Sequence, residues 1–143
     1  MSHYLRSIAL AGTLVMPAIA LGGLCANVNK TPPVGMLLER VRRVIATQAH
    51  RQENLREPLH IDKIHKYFGK DSWHVIWAKP RHYEMGVFLI ASEDDRLRHV
   101  ALWGGVAFPE EESQIFEWFV SKAPDAPRDL LGCVAHYLAT REE

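Results

Sequence analysis

No signature of a known chemistry occurs in this sequence. Its 143 residues contain no G-x-S-x-G, no phosphate-binding P-loop, no dinucleotide fingerprint and no H-E-x-x-H. Net charge is missing too, with 17 Lys and Arg against 17 Asp and Glu. That balance argues against a nucleic-acid partner, because polyphosphate recognition calls for a basic surface. No repeat, biased tract or sustained heptad is present, which excludes low-complexity, collagen-like and coiled-coil organisation. Cysteine is scarce: there are two. A chain of this length can nevertheless bury a core without a metal or several disulfides.

Charged side chains are absent from the 23 residues 7–29, which follow Arg6. Ser7 to Met16 is apolar, Pro17 breaks the run, and Ala18-Ile19-Ala20 places small residues where a signal peptidase reads. The pattern predicts a signal peptide over 1–20, cleaved after Ala20, and an exported chain, periplasmic or secreted. If retained, the same run is long enough to anchor the chain as a structural envelope component, the one route to a membrane partner. A lipid anchor on Cys25 is disfavoured by Leu24 immediately before it. Cleavage leaves both cysteines in the mature chain, and an even pair in an exported protein reads as one disulfide, Cys25–Cys133.

After a lead-in over 21–33, a single α+β domain is expected over 34–143. Val34, Leu37, Leu38, Val41, Val44 and Ile45 recur at helical spacing from Pro33 onward, and Pro58 sets the latest end of that helix. Leu59–Phe68, with Ile61, Ile64 and Phe68 on one side, reads as a second helix capped by Gly69. Period-two alternation then predicts strands from Trp73 to Ala78, Tyr83 to Ser92 and Leu97 to Phe108. Glu93–Arg96 is a tight turn, and Gly104-Gly105 marks a bulge or close approach. Helices opened by Pro109 and by Pro127 finish the chain. The expected architecture is a three-stranded antiparallel meander flanked by two N-terminal and two C-terminal helices. Both sheet faces are apolar, so each needs cover from the helices or from a partner. The segment Ile61–Trp77, a short helix ending in Phe68-Gly69 and entering an aromatic strand, resembles the helix–helix–sheet unit of envelope lipoproteins and secreted β-lactamase inhibitor proteins. The resemblance carries over no functional residue.

The zero net charge conceals two halves. Residues 34–82 hold ten Lys and Arg against five Asp and Glu, whereas residues 83–143 hold five against twelve. Arg40, Arg42, Arg43, Arg51 and Arg56 read as a solvated helix face that pairs with the acidic half. Among the eight histidines, His60 and His65 are five apart, off the i, i+4 line that directs two rings at one metal, and Asp62 with His65 makes only two ligands. No metal and no cofactor are implied. Cys133 and His136 stand at i, i+3 near Asp129, but an apolar stripe in an acidic half is the wrong setting for a thiolate nucleophile. No catalytic residue is assigned.

The leading expectation is a small binding protein, an inhibitor or immunity-type protein directed at a toxin or hydrolase of the envelope. Its acidic half would meet a basic partner through Glu110, Glu111, Glu112, Asp94 and Asp95, with Trp103 as the apolar anchor. The alternative is a small periplasmic hydrolase pairing His74 or His99 with Glu84.

Overall fold

Side chains that alternate between two apolar faces set the sheet. The computed structural model describes Gly23 and residues 25–142, so the expected signal segment and its cleavage site lie outside the described residues. Four antiparallel strands, β1 (Ile61–Lys70), β2 (Trp73–Pro80), β3 (Gly86–Glu93) and β4 (Arg96–Gly104), pair in the order β1-β2-β3-β4. Before them runs α1 (Gly35–Val44), which continues through a π-helical turn (Ile45–Ala49) into a last turn, His50–Gln52. After them come a 3-10 turn (Pro109–Glu111), α2 (Glu112–Lys122) and α3 (Arg128–Thr140). Among the described residues the fold is α+β with four strands and three helices.

The correction concerns Leu59–Phe68, expected as a helix: Leu59 and His60 precede β1, and Ile61–Phe68 lies within it. Ile61 and Ile64 share the α1 face although three apart because the strand is irregular, with register shifts between Ile61 and Ile64 and between Ile64 and Lys66, whereas Phe68 packs on the opposite face. Extra residues in a bulged strand imitate helical spacing. Partners across the adjoining hairpin settle the state: Tyr67 stands opposite Ile76 and Phe68 opposite Val75. The resemblance to a helix–helix–sheet unit lapses with that helix. The remaining shifts are of boundaries. The strand expected from Tyr83 starts at Gly86, and the one expected to reach Phe108 stops at Gly104.

Each face of the sheet has a core of its own. Phe68, Trp73, Val75, Val87 and Leu89 pack with Ile115 and Phe119 of α2 and with Leu130, Val134 and Leu138 of α3. On the other face Tyr67, Ile76, Phe88 and Ile90 meet Val41, Ile45 and Ala49. The π turn adds a residue to one helical turn, which keeps these positions, four apart, over the sheet.

Each sheet edge is met at one residue by the chain itself. At β1, Asn29 of the lead-in exchanges two backbone hydrogen bonds of 2.8 Å with Gly69. The lead-in is also tied to α3 by a disulfide between Cys25 and Cys133, Cα atoms 5.0 Å apart. At β4, α1 supplies a substitute for a neighbouring strand. The His99 amide donates to Gln48 Oε1 at 2.8 Å, and Gln52 Nε2 donates to the His99 carbonyl at 3.0 Å. Satisfying an edge from within removes a template for pairing with other chains.

Gly69 belongs to this strand geometry and is not a helix cap. A Cβ there would run into the Tyr67 ring, which lies over Gly69 so that its hydroxyl reaches Nδ1 of His74 at 2.7 Å, Gly69's partner across the ladder. Burial lowers the His74 pKa and raises that of Tyr67, so the phenol donates to a neutral imidazole. Gly69→Ala should push the ring aside and cost about 1–3 kcal/mol, the usual penalty of overpacking, as a lower urea midpoint. A neutral result would show that the ring can move without loss.

Candidate functional site

The chain leaves β4 at Gly104 and turns through Gly105, whose φ of +130° is a backbone conformation that L side chains rarely adopt. The turn throws the next apolar residues outward, leaving Val106 75% and Phe108 54% exposed. Pro109 then starts the 3-10 turn, and Glu110 and Glu111 occupy the positive start of the helical segment. Beside this lip, Trp103, Val106, Glu111, Gln114, Ile115 and Trp118 line a hollow of 220 Å³. Apolar and aromatic surface rimmed by carboxylates is thus presented at the junction of β4 and α2.

The residues expected to bind a partner are divided by the fold. Trp103 and Glu111 come together in that hollow. Glu110 is exposed beside it on the same turn and makes no ion pair among the described residues. Glu111 also accepts the Phe108 amide at 2.8 Å, which braces the lip against the start of α2. Glu112 faces the other way, its carboxylate 3.1 Å from Nδ1 of His136. Asp94 and Asp95 sit at the far end of the hairpin, since Trp103 is opposite Val87 whereas Glu93 is opposite Arg96. Both aspartates have left-handed φ, 48° and 60°, the conformation a two-residue hairpin turn requires. The Arg40 guanidinium donates to the Asp95 carbonyl. Their residue type follows from the turn.

The histidines expected to pair with Glu84 have other partners. His74 is bound to Tyr67. His99 is fully buried on the α1 side, its Nδ1 against Gln52 Oε1 and its ring edge-on to Phe88. Burial drives its pKa down to about 4. Both stand opposite Ile90 in their ladders, while Glu84 is exposed in the connection before Gly86. The three do not converge. Near Cys133, Asp129 pairs with Lys70 and His136 with Glu112, and the cysteine sulfur is committed to its disulfide. Among the described residues no three His, Cys, Asp or Glu side chains form a metal-holding group.

Val106, Phe108, Gln114 and Trp118 escaped the sequence reading. Val106 and Phe108 continue the apolar run of β4, and nothing in their spacing separates an exposed lip from another strand residue. Gly104-Gly105 was the available signal that the strand ends there. Comparison with protein-family models, with curated proteins and with solved structures finds no match. The functional reading therefore rests on the residues of the chain itself.

Proposed function

We propose that this chain is a small exported binding protein, an inhibitor or immunity-type protein that occupies a basic surface on a toxin or hydrolase of the envelope. One observation carries the reading: Val106 and Phe108 are exposed beside the Trp103–Trp118 hollow and within one turn of Glu110 and Glu111. Large aromatic side chains beside exposed apolar ones supply the anchors of protein interfaces. Flanking carboxylates speed encounter with a cationic partner and weaken in salt. A disulfide suits an oxidising compartment. Among the described residues no helix is long and apolar enough to cross a membrane.

The test compares the disulfide-bonded chain with two variants as bait for envelope proteins at low salt. Wild type should retain a basic protein and suppress its activity when the two are mixed. Trp103→Ala should weaken that complex by about 2 kcal/mol or more, as loss of an anchor does. Glu110→Gln with Glu111→Gln should slow association and flatten its salt dependence. Equal retention by all three forms, or retention without inhibition, would sink the proposal.

A further inference from the structure

On the opposite layer, between α1 and the start of β1, a second hollow of 390 Å³ shares no lining residue with the lip. Its polar lining is Glu39, Arg42, Arg43, His60, Asp62 and Arg81. Arg81 grips both Asp62 oxygens, at 2.7 and 2.5 Å, and this bond holds the Asp62 carboxyl below the usual carboxylate range. Arg42 donates to Glu39 at 2.9 Å and to the Asp62 carbonyl at 2.9 Å. Three guanidiniums thus face two carboxylates. The excess is localised, because Arg43 makes no side-chain hydrogen bond or ion pair among the described residues. In addition, Nε of Arg42 is buried with no acceptor. A buried donor left unmade is unfavourable until an acceptor reaches it.

We infer that this hollow is a binding site for a compact oxyanion, a phosphate ester or a carboxylate, held by Arg43 beside Arg42. A guanidinium fork matches two oxygens of such a group. The preformed pairs with Glu39 and Asp62 keep the Arg42 and Arg81 planes in place before the ligand arrives. The volume falls in the range of small-molecule pockets, with room for an organic body as well as the anionic group. Leu59 and Ile61 also line the hollow, giving that body an apolar wall. The inference is independent of any protein partner at the lip.

Titration of the disulfide-bonded chain with sodium phosphate and, separately, with sodium citrate at low ionic strength tests it. Saturable amide shifts are expected over Glu39–Ala46 and Leu59–Asp62. Arg43→Ala removes an exposed side chain and keeps the fold, and it should weaken binding about tenfold or more, the worth of a charge-assisted hydrogen bond. Glu39→Gln keeps an acceptor for Arg42 but removes a negative charge from the hollow, and should tighten binding. Saturation by phosphate alone assigns a phosphate ester, and by citrate alone a carboxylate. Absence of saturable shifts with both, or saturation unchanged by Arg43→Ala, overturns the site.

Discussion

Replacing both cysteines by alanine should cost about 4–5 kcal/mol of stability, by the loop-entropy scale for a closure this long. The bridge spans 108 positions, nearly all of the described chain. For a domain whose total stability is of the order of 5–15 kcal/mol this is a large share, and the melting temperature should fall by roughly 15–20 °C. The size of the effect depends on whether the lead-in belongs to the cooperative unit. Val28 is buried against the core and Asn29 is paired with Gly69, so detaching Cys25 should loosen the edge of β1 and then the sheet. Urea unfolding of the oxidised chain and the double variant measures the difference. Hydrogen exchange on β3, the strand flanked by β2 and β4, locates it. A loss under about 1 kcal/mol with β3 protection intact would mean that residues 25–33 fray alone, with the closure constraining only a short tail.

Acid should destabilise the protein through His99 before its carboxylates titrate. The ring is fully buried on the α1 side, and burial lowers its pKa from 6.5 to about 4. The unfolded chain therefore takes up a proton near pH 6.5 that the folded chain refuses until near pH 4. Stability is complete above 6.5 and declines as the pH falls through that window. The decline amounts to about 3 kcal/mol at its lower end, from 1.36 kcal/mol per pKa unit. Burial shifts His74 in the same direction. His99→Leu should flatten the slope of unfolding free energy between pH 7 and 4. It also lowers the level at all pH values, because Gln52 Oε1 loses its partner on the ring. The slope is the discriminating quantity, and an unchanged slope in the variant would assign the acid lability elsewhere.

Some of this molecule was legible in one dimension. The disulfide followed from counting two cysteines in a chain with an export-like front. β2, β3 and the two C-terminal helices followed from alternation and from the prolines that open helices, since those signals are local. Of the six residues expected to meet a partner, the fold brings Trp103 and Glu111 into one hollow. Asp94 and Asp95 were named for their charge, whereas their left-handed turn is what calls for aspartate. His99 drew attention as a possible base. Its burial under α1 and its backbone bonds to Gln48 and Gln52 make it a structural residue that closes a sheet edge.

By itself the sequence determined the class of the fold, the register-friendly alternation of the sheet, the covalent staple and the separation of charge into a basic and an acidic half. Each depends on residue type and near spacing. Only the tertiary structure decided the rest. Ile61–Lys70 is a strand because β2 and Asn29 offer it partners on both sides, which overrides helical spacing. Arg42 and Arg43 of α1, read as part of a solvated face, form a hollow because Asp62 and Arg81 arrive from β1 and the connection after β2. The lip at Val106 and Phe108 is exposed because Gly105 turns the chain off the sheet before α2 begins. Pairing, convergence and exposure are relations between distant segments, and their energies appear only when those segments meet.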